Sequence, residues 1–249
     1  MQVPSDIEPG PLLSRHGRVG GGRLRQVLAR LIPRLAIPAD TSIDLHQHGV
    51  VVHRRGTAGG TFVPFMAMAD LYLYRTGRRL FGPPNALAFR QTPEDEWVVA
   101  LDHHGDGFRL RGEIIGGQLR ERGPLALRAL EAGDVLTFHA ITDADRLASR
   151  TSGAVAFVDT SLLRLSSTGV DVDGTHIAIA DISRLEEGGP DGSLRLFNAY
   201  GQMLSSMHTL SLFSADLFVV LMRTMIEAQH YGIAQKTAPR NSSRAADAG

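Results

Sequence analysis

The sequence predicts a mainly β protein of the α+β class. Six stretches mix β-branched, aromatic and alternating apolar residues, and glycines mark the breaks between them. Two further stretches show helical spacing, and each follows a group of strand-like stretches, so that the order of strands then helix runs twice along the chain. At 249 residues the chain is long enough for two small domains, each with a core of its own.

The first elements along the chain are a lead and a short helix. Residues 1–22 are rich in Pro, Gly and Arg and have no apolar periodicity, which predicts a flexible lead. In residues 23–35, apolar side chains recur at helical spacing from Leu24 to Ile32 with arginines off that stripe, which predicts a short amphipathic helix. Pro33 ends this helical pattern.

The strand-like stretches fill most of the chain between residues 42 and 207. They are residues 42–56, 61–74, 96–115, 153–174, 175–185 and 192–207. In the third stretch, the sequence DHHGDG at 102–107 predicts a hairpin turn, because Asp and Gly supply the local hydrogen bonds and positive φ values of such turns.

Two helices and a tail complete the predicted elements. The first helix covers residues 123–133, with Pro124 at its start and Gly133 as its stop. The second covers residues 214–232, and three positions mark it: Ser214 as N-cap, Asp216 in the first turn and Gly232 at the end. The polar residues 233–249 predict a disordered tail.

An internal repeat is visible when Gly49 is placed on Gly169. The sequence LHQHGVVV then lies on LSSTGVDV, and three apolar positions coincide in the two copies. Further along, MAMADL at 66–71 matches IAIADI at 177–182 and places Asp70 on Asp181. The repeat requires a longer loop in the first copy, and it predicts two domains, at residues 42–135 and 136–232.

The order of a strand, a turn glycine, a hairpin, further strands and one closing helix resembles the pleckstrin-homology-like (PH-like) β-barrel. The second copy carries most of the resemblance, in ALEAGDVLTF, SSTGVDVDGTHIAIADISRL, GSLRLFNAYGQ and LFVVLMRTMI. Two such units in tandem resemble a bacterial family of uncharacterised proteins. The resemblance implies two PH-like barrels or half-barrels, each closed by a C-terminal helix, and it implies no activity. Near Gly169 the chain carries Asp171 and Asp173 in place of the basic cluster that binds phosphoinositides in other PH-like domains.

Composition excludes several classes of function. The formal net charge is zero, so no overall field attracts nucleic acid, and no nucleic-acid partner is predicted. The chain has no cysteine, which excludes disulfides, zinc–thiolate sites and a cysteine nucleophile. Its start lacks a basic region followed by an apolar run, so a secretory signal is not expected and a cytoplasmic location is. Attachment to a membrane surface through the arginine-flanked helix at 23–32 is a third and weaker hypothesis.

The sharpest candidate for chemistry is DLHQH, at residues 44–48. On a strand, His46 and His48 share a face with Asp44, and neutral imidazoles with a carboxylate are a ligand set for a divalent metal. The alternative is the exposed polar face of a hairpin strand. No third ligand stands at a diagnostic spacing, so neither a metal nor a cofactor is predicted.

The second candidate is the DHHGDG stretch itself. There Asp102 and His104 are able to form an acid–base pair, while the alternative is a plain hairpin turn. If the protein is an enzyme, we expect His46, His48, His104 and Asp102 to be its catalytic residues.

Two functions follow as hypotheses. The first is a non-catalytic binding or scaffold module that holds a protein, a peptide or an apolar small molecule. The second is a small-molecule enzyme of cyclase or isomerase type in bacterial secondary metabolism, with a His–Asp pair in a pocket between the domains. The helix at 214–232 is apolar nearly all round its first three turns, which predicts a second buried side, against the other domain, a partner protein or another copy of the chain.

Overall fold

The computed structural model describes most of the chain. The described residues are 7–19, 41–54, 58–76, 84–101, 107–152, 155, 160–188 and 192–237. Within them the protein is mainly β, as predicted, with fourteen strands in four antiparallel sheets and three α-helices. The predicted helix at 23–35 and residues 238–249 of the predicted tail lie outside the described residues.

The first half of the protein runs from β1 to the end of α1. A four-stranded sheet has the order β1 (Leu12–Val19), β2 (Thr41–His46), β3 (Gly49–Arg54) and β4 (Thr61–Pro64). A 3₁₀ turn, η1 (Phe65–Ala67), leads to a three-stranded sheet of β5 (Asp70–Tyr74), β6 (Ala86–Arg90) and β7 (Val98–Leu101). Helix α1 (Gly107–Glu131) follows.

The second half repeats this order. Its four-stranded sheet contains β8 (Leu136–Ile141), β9 (Thr160–Leu165), β10 (Gly169–Val172) and β11 (Thr175–Ala178), with helix α2 (Asp143–Ser152) between β8 and β9. The turn η2 (Ile179–Asp181) leads to the sheet of β12 (Arg184–Glu187), β13 (Ser193–Phe197) and β14 (Met203–His208). A last turn, η3 (Thr209–Ser211), precedes helix α3 (Ala215–Thr237).

Gly49 and Gly169 occupy the same place in the two halves, as the repeat predicts. Each opens the strand after the first hairpin turn, and each lies against the main chain of the following strand. A Cβ atom at Gly49 would lie 2.4 Å from the carbonyl oxygen of Val63, and one at Gly169 would lie 2.7 Å from that of Ile177. Both positions therefore require glycine for close strand packing.

The second part of the predicted alignment is wrong by three residues. The backbone N–H of Phe65 donates to His48 at 2.9 Å, and that of Ile179 donates to Thr168 at 2.9 Å, so these two residues are equivalent. With that offset Asp70 falls on Arg184 and not on Asp181, since both begin the strand after the 3₁₀ turn. The repeated Ala-Asp pair misled the alignment because the two carboxylates have different structural positions.

Part of the predicted lead is a strand. Leu12–Val19 forms β1, which pairs with β2 through Ser14 opposite Leu45 and Arg15 opposite Asp44. The sequence does not show it because β1 lies at the edge of its sheet and has two register shifts, which interrupt the alternation of apolar side chains.

The first predicted helix is too short, because the strand predicted after residue 107 belongs to it. Residues 102–106 of the predicted hairpin turn lie outside the described residues. Strand β7 ends at Leu101, and the residues after it that were predicted as a strand form the start of α1, from Gly107 onward. Pro124 lies inside α1 rather than at its start. Gly133 does end the helix: it has φ +91°, its N–H donates to Leu130, and the N–H of Asp134 donates back to Ala129.

Helix α1 packs against both cores. Leu110 and Ile114 in its first turns belong to the core between the two sheets of the first half. Ala126 and Leu130 near its end belong to the core of the second half, where α3 also packs. Residues 123–133, which were predicted to close the first domain, therefore pack into the core of the second half. The earlier turns of the same helix close the first half.

Helix α3 begins one residue later than predicted and continues to Thr237. Ser214 directly precedes it, but with φ +50°, and its hydroxyl group bonds to the first half instead of capping the helix. None of the described helices is both long and apolar enough to cross a membrane.

The outer faces of the two three-stranded sheets differ. In the first half that face carries Tyr72, Tyr74, Ala86 and Ala88, all buried. In the second half the corresponding face carries Arg184, Glu186, Arg195 and Ser206, and Phe197 lies there beneath the guanidinium group of Arg184. The halves therefore share an element order without sharing this surface.

Candidate functional site

The structure separates the residues of the predicted ligand row. His46 ends β2 and donates from Nδ1 to the carbonyl oxygen of Gly10 at 2.9 Å, whereas His48 lies in the turn and contacts Glu121 of α1 at 3.0 Å. Asp44 bonds to Arg15 at 3.2 Å and His53 at 3.3 Å. In the described part of the chain, no group of three His, Asp or Glu side chains is placed to hold a metal ion.

The other predicted site residues, Asp102 and His104, lie outside the described residues. Their catalytic role stays a prediction.

The boundary between the halves is built on the three-stranded sheet of the first half, which is buried on both faces. Leu71, Leu87 and Phe89 face the first core. Tyr72 and Tyr74 face the second half, where the Tyr72 ring stacks on Tyr74 at 5.0 Å and meets Phe213 edge-on at 5.3 Å. Such contacts stabilise the boundary beyond the area they bury.

A buried charged cluster ties the halves together at one edge of this boundary. Asp70 is 3% exposed and accepts from Arg90 at 2.7 Å and from His139 of β8 at 3.2 Å. Burial acts to raise the pKa of Asp70, but the hydrogen bond and charge of His139, together with Arg90, outweigh burial and lower the pKa below its usual value. The carboxylate is therefore held ionised by hydrogen-bonding partners from both halves.

Ser214 makes a second polar connection. Its N–H donates to the carbonyl oxygen of Leu71 at 2.6 Å, and its hydroxyl oxygen accepts from the N–H of Leu71 at 3.2 Å. The side chain of Gln118 on α1 donates to the same hydroxyl oxygen at 3.0 Å. This network satisfies buried main-chain groups that would otherwise have no partner at the boundary.

A cavity of about 250 Å³ lies beside Ser214, between β5 of the first half and the start of α3 in the second. We call it the boundary cavity. Its apolar wall includes Leu71, Leu73, Leu212, Ala215 and Val219. Its polar side chains are Arg75, Glu187, His208, Thr209 and Asp216. A mainly apolar wall with a few polar groups is typical of a small-molecule site.

The acidic side of the boundary cavity is formed by Asp216 and Glu187. Burial raises the pKa of Asp216, and the charge of Glu187 raises it further, although Arg111 lowers it in part. Glu187 forms an ion pair with Arg223. The carboxyl group of Asp216 is thus destabilised in its ionised form at a surface that a ligand is able to reach.

His208 lies in the same cavity with a fixed ring. Its Nδ1 atom accepts a hydrogen bond from the N–H of Leu210 at 3.0 Å. A nitrogen that accepts carries no proton, so the ring is held in its neutral form with the proton on Nε2.

A second cavity of about 290 Å³ lies between the two sheets of the first half. Its floor includes Val52, Val63 and Phe89, and an ion pair of 3.1 Å joins Arg54 and Glu96 at its rim. It is lined by one half only, and Arg54 and Glu96 neutralise each other at its rim.

Sequence reasoning missed the residues of the boundary cavity. Asp216 was assigned only to the first turn of a helix, and Glu187 ends a strand before a glycine-rich turn. Their proximity to Leu71 and Leu73 depends on how the halves pack, for which no local pattern gives a signal.

A scan of protein-family models and a search of curated proteins each found no match to this chain.

Proposed function

We propose that the protein is a non-catalytic binding module. Two PH-like half-barrels stand in tandem, and a small molecule with an apolar body binds in the boundary cavity between them.

The repeated architecture supports the PH-like part of this proposal. Each half has a four-stranded antiparallel sheet, a 3₁₀ turn, a three-stranded antiparallel sheet and then a long helix. In each half a buried apolar cluster joins both sheets to that helix. This is the combination that the sequence resemblance implies.

The single observation that carries the binding function is the boundary cavity. Its volume of about 250 Å³ lies just below the range of drug-sized ligand pockets, roughly 300–1,000 Å³, so it suits a molecule smaller than a typical drug. Its walls come from β5, η3 and α3, which are rigid elements of two separately packed cores. A site held in this way is formed before the ligand arrives.

The hydrogen bonds of the histidines favour binding over catalysis, both at the predicted ligand row and in the boundary cavity. His46 and His48 line neither cavity, since each is bonded to a partner at the surface of the first half. In the boundary cavity, the Nδ1 atom of His208 is occupied by a main-chain donor. The groups therefore position a ligand more readily than they relay a proton.

Titration of the ¹⁵N-labelled full chain with benzyl alcohol tests the proposal. We expect saturable amide shifts at Leu71, Leu73 and Leu212. The substitution Ala215→Leu adds three carbons to the cavity wall and should abolish these shifts. Ala228→Leu is the matched control, because residue 228 is an exposed position on the same helix.

Two results would contradict the proposal. One is the absence of saturable shifts at the boundary cavity, and the other is an Ala215→Leu variant that binds benzyl alcohol as the wild type does.

A further inference from the structure

We infer that the natural ligand of the boundary cavity carries a positively charged nitrogen, an ammonium group, which binds between Asp216 and Glu187 while its apolar body lies on Leu71, Leu73 and Val219. This inference rests on the proposed function, since it concerns the same cavity.

The carboxylate of Asp216 makes no ion pair with any residue that the structure describes. Within the described residues, the hydrogen bond that favours its ionised form comes from its own backbone N–H. The Asp216 side chain is partly withdrawn from water and lines the cavity. A carboxylate desolvated in this way gains most from a donor that also brings a positive charge.

Glu187 adds a second negative charge to the same wall. Both side chains line the boundary cavity, and after burial the charge of Glu187 also acts to raise the pKa of Asp216. Arg223 pairs with Glu187, but the pKa of Asp216 stays raised. A cation placed between the two carboxylates would therefore be attracted by both.

The basic side chains around the cavity do not supply that cation. His208 has a neutral ring, because its Nδ1 atom accepts from the N–H of Leu210. Arg111 donates to the main-chain oxygen of Pro84, and its charge only partly offsets the rise in the pKa of Asp216. Arg75 lines the cavity but is not among the charges that shift the pKa of Asp216.

An organic cation fits this cavity better than a metal ion does. Calcium takes roughly six to eight oxygen ligands, and magnesium demands octahedral geometry. The cavity offers two carboxylates beside a wall of leucine, alanine and valine side chains. In a ligand that carries an ammonium group on an apolar body, the charge binds the carboxylates while the body packs against the apolar wall.

The test compares benzylamine with benzyl alcohol, which share the same ring but differ in charge. At neutral pH we expect benzylamine to bind the wild-type chain about ten-fold more tightly than benzyl alcohol. In Asp216→Asn the preference should disappear. In Glu227→Gln, an exposed position on the same helix, it should remain.

A second readout is the titration of the Asp216 carboxyl group, followed by ¹³C NMR. Saturating benzylamine should lower the pKa of Asp216, and benzyl alcohol should leave it unchanged or raise it further.

The outcomes separate the two proposals. If both probes bind the wild-type cavity equally, the ammonium inference fails and the binding module stands. If neither probe binds, the proposed function fails together with the inference. If benzylamine binds more tightly but keeps its preference in Asp216→Asn, the assignment to Asp216 is wrong.

Discussion

At the scale of single residues, Asp70 provides a buried charged connection between the halves. Its carboxylate lies where three elements meet and is held by Arg90 of its own sheet and His139 of the second half. The side chains of Asp70 and Arg90 are 5% and 12% exposed, so the pair is shielded from solvent. Removing one partner would leave the other charge buried without compensation.

We predict that Asp70→Asn lowers the free energy of unfolding by about 3 kcal/mol at neutral pH. The folded protein lowers the pKa of Asp70, so its contribution is present above the unfolded value of about 3.9 and is lost as pH falls through the folded value. The difference in the free energy of unfolding between wild type and Asp70→Asn should therefore become smaller as the pH is lowered. Urea unfolding at a series of pH values measures it.

Asp143→Asn is the control for this pH series. Asp143 also pairs with an arginine, Arg146, but its side chain is 82% exposed, and the cost should stay below about 1 kcal/mol. A gap between wild type and Asp70→Asn that does not change with pH would contradict the prediction.

At the scale of elements, α1 is the part of the fold that the sequence hides best. Gly116, Gly117 and Pro124 suggest breaks, yet the helix runs through all three. Tertiary contact explains one of them: a Cβ atom at Gly117 would lie 2.5 Å from the ring of Phe65. Glycine there allows α1 to approach η1 closely, at the cost of weaker helix propensity.

These two neighbouring glycines should respond to alanine in opposite directions. Gly117→Ala should destabilise the protein by about 1–3 kcal/mol, because the new methyl group collides with Phe65. At Gly116 a Cβ atom has no neighbour within 4 Å, so Gly116→Ala should stabilise by up to about 1 kcal/mol. The midpoint of thermal unfolding, measured for both variants, tests this prediction. Equal changes of the midpoint with the same sign would contradict it.

The elements that the sequence does predict are those fixed by local chemistry. The turn before Gly49, the turn before Gly169 and the end of α1 at Gly133 each depend on residues close in the chain. Strand β1 and the boundary cavity were missed because they depend on pairing and packing between distant segments. The error in the repeat alignment has the same origin. The residue of the second half that is equivalent to Asp70 is Arg184 and not Asp181, and only the position of η2 in the fold shows this.

At the scale of the whole molecule, the halves are joined by directional bonds as well as by apolar contact. Ser214 alone connects the main chain of β5, the side chain of Gln118 and the start of α3. Because α1 also packs into both cores, we expect the two halves to unfold in one cooperative transition.

We predict that Ser214→Ala lowers the free energy of unfolding by about 2 kcal/mol, because it leaves the N–H of Leu71 and one of the two amide hydrogens of Gln118 buried without an acceptor, while the other still donates to Met68. Both serine and alanine meet the same strain at φ +50°, so the substitution isolates the hydroxyl group. Ser206→Ala, on the exposed face of β14, should change the value by less than about 0.5 kcal/mol. Denaturant unfolding measures both, and equal effects would show that the hydroxyl contributes nothing.

The unlike outer faces of the two small sheets limit how such units assemble. Tyr72 and Tyr74 give the first sheet a dry surface on which the next unit docks. Arg184, Glu186 and Arg195 would have to shed their hydration before anything could dock on the second sheet in that manner. We therefore expect this mode of stacking to end at the two halves of one chain, since the second sheet offers no dry surface for a further unit.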